Sequence, residues 1–249
     1  MIRDDGRRVL VFPTPEEVAR QGAELLVQLA RAKPGAAVAL SGGTTPLLMY
    51  DILAGAGRGD QAALRSLVYF FGDERAVPND HPDSNVRLAR RNFLDRIGVP
   101  ESQLVLPKGG ADDLGLEADR LTHLLHERCR EKDGPVPALD LIFLGMGSDG
   151  HTASLFPGTR AVDSRTMGYE ANEVYQLDTM RLTLTFPVLN GARSIVMLVT
   201  GQGKAQVLSE IFSHPGRTPA YPVENLPHDR TTWLLDKAAA SGIPENPNV

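Results

Sequence analysis

Apolar residues fall in short runs along the chain, separated by stretches in which they recur at helical spacing. Runs at Arg8–Phe12, Ala36–Leu40, Val68–Phe71, Leu139–Leu144, Ser194–Thr200 and Thr231–Leu235 read as strands. Several are almost unbroken Val, Leu, Ile and Phe, the pattern of strands buried on both faces. Amphipathic periodicity predicts helices near residues 15–33, 46–54, 84–97, 112–132 and 202–213. The first opens on Thr14-Pro15-Glu16-Glu17, with Thr14 as N-cap, Pro15 at the first helical position and Glu17 placed to complete a capping box. Alternating strands and helices imply right-handed crossovers. The expected fold is therefore α/β, a doubly wound, mostly parallel sheet with helices on both faces. Residues 1–249 read as a single α/β domain, with a small flanking layer at about 158–190. The Pro-rich stretches at 135–137 and 215–227 read as connections within it.

Composition narrows the function. With 42% hydrophobic residues there is enough apolar material for a sizeable core, and a formal charge of −5 argues against general nucleic-acid binding. An anionic ligand must then be captured by local positive groups, not by the overall field. The single cysteine, Cys129, excludes an internal disulfide and reads as a half-buried helix residue. No apolar run approaches the roughly 18 residues of a membrane helix, and the N-terminus lacks a signal-peptide pattern. A cytoplasmic enzyme with no membrane partner is the expectation.

In parallel sheets ligands bind beyond the carboxyl ends of the strands, and four strands end in conspicuous loops. Ser41-Gly42-Gly43-Thr44-Thr45-Pro46 joins glycines and hydroxyls to a helix start and forms a plausible phosphate cradle; read alone, an ordinary tight turn fits it equally well. Gly72-Asp73-Glu74-Arg75 offers carboxylates to sugar hydroxyls and a planar fork to an anion, though a surface ion-pair cluster is the plainer reading. Asp83 or Ser84 is placed to cap the next helix. Gly145-Met146-Gly147-Ser148-Asp149-Gly150 matches the G-x-G-x-x-G dinucleotide pattern. Asp149 would oppose a pyrophosphate and Pro157 interrupts the required helix, so that reading fails. Asp149 with His151 instead suggests an acid/base pair. Gly201-Gln202-Gly203-Lys204 sets an ammonium at a helix start, the end that cations disfavour. Arg181, before Leu182-Thr183-Leu184-Thr185, is a further candidate cation. Zinc, calcium and serine-hydrolase motifs are missing, so neither a metal nor a cofactor is expected.

These segments, in order, resemble the 6-phosphogluconolactonase family. The resemblance rests on Leu40–Pro46, Gly72–Pro78 with Ser84-Asn85, Leu144–Pro157, Arg181–Thr185, Gly201–Ala205 and Trp233-Leu234-Leu235-Asp236. It implies the fold shared with glucosamine-6-phosphate deaminases and ribose-5-phosphate isomerases, and hydrolysis of 6-phospho-D-glucono-1,5-lactone to 6-phospho-D-gluconate in the oxidative pentose phosphate pathway. It implies His151 as the base for water, with Asp149 as its partner or as a substrate anchor. Gly42, Gly43, Thr44, Thr45, Asp73, Arg75 and Lys204 would hold the substrate's anionic and hydroxyl groups, assisted by Arg181. The chain departs from the family pattern at Ser148, where proline is common, and in the proline-free stretch 175–180. A deaminase is disfavoured because the His151 loop continues Ala153-Ser154-Leu155-Phe156-Pro157, without the deaminase Glu. A non-catalytic sugar-phosphate sensor is disfavoured because it has little need for the Asp149/His151 pair. Monomer and dimer both remain open.

Overall fold

The computed structural model describes residues 6–129, 137–213 and 221–243. Its strands are β1 (Arg8–Phe12), β2 (Ala37–Leu40), β3 (Val68–Phe71), β4 (Asp73–Arg75), β5 (Leu141–Leu144), β6 (Tyr169–Val174), β7 (Thr179–Leu184), β8 (Ile195–Val199) and β9 (Thr231–Asp236). Its α-helices are α1 (Pro15–Ala32), α2 (Thr44–Ala54), α3 (Arg58–Leu64), α4 (Asn85–Ala89), α5 (Asp95–Ile97), α6 (Leu114–Arg128), α7 (Phe186–Gly191), α8 (Ala205–Ser213) and α9 (Lys237–Ala240). All six expected strands form one parallel sheet in the order β1-β9-β8-β5-β2-β3.

Strand side chains alternate between two cores. Val38, Leu40, Tyr69, Phe71, Phe143 and Leu198 face one side, against Val18 and Leu26 of α1 and Met49, Tyr50 and Leu53 of α2. Ala39, Phe70, Ile142, Leu144, Met197 and Leu235 face the other, against Leu121 and Leu125 of α6 and Leu208 and Ile211 of α8. Each fully buried Leu, Ile or Phe on these faces contributes about 1.5–3 kcal/mol. Burial on both faces is why the strands carry almost no polar positions. Helices flank both faces of the parallel sheet, as the alternation implies. Thr14 caps α1, its hydroxyl accepting from the Glu17 amide at 3.4 Å.

A second, three-stranded antiparallel sheet in the order β4-β7-β6 covers one end of this core. The region 158–190 contributes β6, β7 and most of α7, and Asp73–Arg75, read from the sequence as a loop, supplies the third strand. Tyr169 donates from its phenol to the Phe71 carbonyl at 2.7 Å, and Leu184 N donates to the Gly72 carbonyl at 2.9 Å, joining the sheets. The expected helix at 84–97 is broken into α4, a π-helical turn at Arg90–Leu94, and α5. The Asn92 side-chain amide donates to the Leu88 carbonyl at 2.8 Å, competing for the acceptor that a regular helix would use. Part of the expected helix at 112–132 and of both Pro-rich connections lies outside the described residues. Cys129 is buried at the end of α6, and burial pushes its thiol up to about 12.

The topology has one feature that decides where a ligand can sit. From β2 the chain steps to β3 on one side, then returns to build β5, β8 and β9 on the other. The loops after β2 and β5 therefore diverge at a switch point and leave a crevice.

Candidate active site

The crevice is a cavity of about 580 Å³. The candidate residues border it, Glu74 excepted: Gly42, Gly43, Thr44 and Thr45 after β2, Asp73 and Arg75 on β4, Asp149 and His151 after β5, Arg181 on β7, and Lys204 after β8.

The loop after β5 is a tight turn and not the start of a helix. Gly147 N donates to the His151 carbonyl at 2.9 Å and Gly150 N to the Gly147 carbonyl at 3.2 Å. This fold brings the Asp149 and His151 side chains together, with Nδ1 2.6 Å from Asp149 Oδ1. A Cβ on Gly147 would stand 2.2 Å from His151 Nδ1 and 2.3 Å from Asp149 Oδ1, so the pair can close only beside a glycine. The imidazole stacks on Phe156, with ring centroids 3.8 Å apart and planes at 24°. A carboxylate accepts only, so Nδ1 carries the proton, and in the neutral imidazole Nε2 then holds the lone pair.

Helix α2 begins at Gly43, a cap without a side chain, so no hydroxyl or carboxylate occupies its first amides. Thr44 and Thr45 are the first two helical residues. Thr45 Oγ1 lies 2.7 Å from Thr200 Oγ1, tying the cradle to the end of β8.

Three cations border the same space. Arg75 and Arg181 are direct cross-strand partners of β4 and β7. Arg75 donates to the Asp83 carbonyl. Among the described residues the Arg181 guanidinium and Lys204 ammonium have no hydrogen-bond or ion-pair partner. Burial, with Arg75 nearby, lowers the Arg181 pKa; burial likewise lowers that of Lys204, partly opposed by Asp149. Like charges facing each other across a ladder cost stability, a cost that the nearby carboxylates Asp73, Glu74 and Asp83 partly offset.

Asp73 is held by two donors: Asn85 Nδ2 reaches its Oδ1 at 3.2 Å and Ser154 Oγ its Oδ2 at 2.6 Å. Its neighbour Glu74 is fully buried and points away from any ligand. The Glu74 carboxylate accepts from Arg75 N, Ser84 Oγ, Asn85 N and Val86 N at 2.8–2.9 Å. Burial raises its pKa while these donors pull it back. Ser84 is the residue that caps α4, accepting from Arg87 N at 3.1 Å. Asn85, Ser154, Phe156 and Thr200 also border the cavity and carry no assignment from sequence. Phe156 and Ser154 stand within the motif that contains His151, and Asn85 within the Ser84-Asn85 segment of the resemblance, whereas no local signal marks Thr200. Among the described residues no cluster of His, Cys, Asp or Glu could hold a metal ion, and no helix is long and apolar enough to cross a membrane.

Fold and site together define an α/β protein with a cleft lined by Arg75, Arg181 and Lys204, beside a carboxylate–imidazole pair, at the switch point of a parallel sheet. The model of the glucosamine-6-phosphate isomerases/6-phosphogluconolactonase family matches residues 13–233. The 6-phosphogluconolactonase of a Synechocystis strain is 40% identical over 210 residues, covering 83% of this chain and 84% of its own. The human 6-phosphogluconolactonase is 33% identical over 240 residues, covering 93% and 92%. The structure of 6-phosphogluconolactonase from Trypanosoma cruzi superposes with a TM-score of 0.82 at 28% identity, covering 94% of this chain and 96% of that one. The chain belongs to the glucosamine-6-phosphate isomerase/6-phosphogluconolactonase family.

Proposed function

We propose that the chain is a carboxylic ester hydrolase that converts 6-phospho-D-glucono-1,5-lactone to 6-phospho-D-gluconate in the oxidative pentose phosphate pathway. The observation that carries this reading is the His151–Asp149 pair at 2.6 Å, set in one cavity with two unpaired cations. Nδ1–H is committed to Asp149, so Nε2 is left to take a proton from water. That water attacks the lactone carbonyl; the ring C–O bond then breaks, and the imidazolium returns its proton to the departing ring oxygen. Asp149 holds the ring in the productive tautomer and steadies its charged form. The Gly42–Thr45 loop, Lys204, Arg181 and Arg75 hold the phosphate and supply positive potential for the oxyanion. Asp73 accepts from a sugar hydroxyl. A six-membered lactone is an activated ester, so a base worth about 10²–10⁴-fold, together with rigid placement, is sufficient. Water is the nucleophile, and the reading assigns no cofactor. It places the enzyme in the cytoplasm with a small sugar phosphate as its partner.

The test is to offer freshly made 6-phosphogluconolactone and, separately, glucosamine 6-phosphate. Acid release from the first above its spontaneous rate is expected, with kcat in His151→Ala reduced by about 10²–10⁴-fold. Ammonia from the second, or undiminished turnover by the variant, overturns the reading.

A further inference from the structure

Asn85 opens α4, is only 2% exposed and borders the cavity, yet it has no part in the chemistry above. Its Nδ2 donates to the Asp73 carbonyl at 3.0 Å and to Asp73 Oδ1 at 3.2 Å. Both are acceptors, which fixes the amide orientation. Its Oδ1 is buried, has no hydrogen-bond partner among the described residues and lies against Gly42, where a Cβ would stand 1.8 Å away. The side chain therefore bridges a carboxylate on β4 and the glycine loop after β2. Its backbone is fixed from behind, Asn85 N donating to Glu74 Oε1 at 2.8 Å.

We propose that Asn85 is a positioning residue that orients the Asp73 carboxylate and sets its separation from the Gly42 loop. The site thereby selects polyol phosphates whose hydroxyl-to-phosphate span matches it. This inference rests on the function proposed above, in which Asp73 receives a hydroxyl and the loop receives the phosphate. A carboxylate offers about four acceptor positions. Asn85 and Ser154 occupy one on each oxygen, which leaves the others in a fixed direction for substrate. Without the Asn85 donor, only the Ser154 hydrogen bond restrains Asp73 against turning about its broad terminal torsion.

Comparing Asn85→Asp with Asn85→Ala separates orientation from packing. Aspartate keeps the shape against Gly42 but replaces the donor by an acceptor; alanine removes both. The measurements are kcat/KM for 6-phosphogluconolactone, Kd for 6-phosphogluconate by calorimetry, and Tm. Both variants are expected to lose about tenfold or more in kcat/KM and in product affinity, the worth of one hydrogen bond to a charged group. Asn85→Asp close to wild type with Asn85→Ala impaired means that Asn85 only fills space, and overturns the proposal. If Asn85→Asp does not fold, Asn85→Leu, which keeps the volume without the charge, carries the same comparison. A wild-type protein that binds 6-phosphogluconate without hydrolysing the lactone defeats the proposed function, while the Kd comparison still decides the role of Asn85. A wild-type protein that does neither overturns both.

Discussion

Lys204 precedes α8, the end of a helix at which a cation is disfavoured, and burial lowers its pKa further. The fold thus bears a cost for this ammonium that a bound anion removes. The sign follows from the lowered value: the folded state disfavours the charged form, so the cost is present below the folded pKa. It fades as pH rises toward the ordinary lysine range. Lys204→Met is therefore expected to keep or raise Tm at neutral pH. Its KM for the phosphorylated lactone should rise about tenfold or more, with little change for unphosphorylated gluconolactone. In the wild type, KM should climb on the alkaline side at a lower pH than an ordinary lysine would dictate. Steady-state kinetics on both lactones and a melting curve check this, and an equal loss on both substrates would remove Lys204 from the phosphate.

At the scale of elements, the short strand β4 does more than its length suggests. Asp73 and Arg75 are half-buried facing the cavity side, while Glu74 between them turns inward, as strand alternation requires. Its carboxylate gathers four donors from β4 and the start of α4, so one buried acid holds two elements in register. Glu74→Ala leaves those donors unsatisfied and should cost about 3 kcal/mol or more of unfolding free energy. Urea denaturation with an unchanged m value measures it. Activity should fall together with stability, because Asn85 and Asp73 lose their common support. Normal stability would show that water replaces the carboxylate without penalty.

For the whole molecule, the crevice exists because the strand order reverses beside β2, and its positive groups converge although the chain carries a net charge of −5. On the function proposed above capture is local, so a specific anion should stabilise the fold where general ionic strength does not. At a hundredfold excess over Kd, 6-phosphogluconate should add about 2.7 kcal/mol, raising Tm by several degrees. Differential scanning calorimetry with 6-phosphogluconate, and with sodium chloride at matched ionic strength, tests this. Equal responses to both would leave the cations without a specific ligand.

The six strands of the parallel sheet and the two-faced core were legible in the sequence because burial on both faces leaves an unbroken apolar run, a purely local signal. The same holds for the loops beyond those strands, whose glycines, hydroxyls and charges stand together in the chain. His151 and Asp149 are two residues apart, so their pairing could be read from spacing alone. Helices α3 and α7 were not legible: each is short, and Leu64, Val188 and Leu189 secure them by packing on distant segments. Nor was β4, whose three polar residues become a strand only by pairing with β7, more than a hundred residues away. That pairing sets Arg75 against Arg181. The close approach of Gly42 to Asn85, and of Asn85 to Asp73, likewise spans elements that no local pattern connects. Local periodicity determined the sheet and the loops that carry the chemistry. The spacing between charged groups of different elements was decided only when long-range pairing placed their backbones.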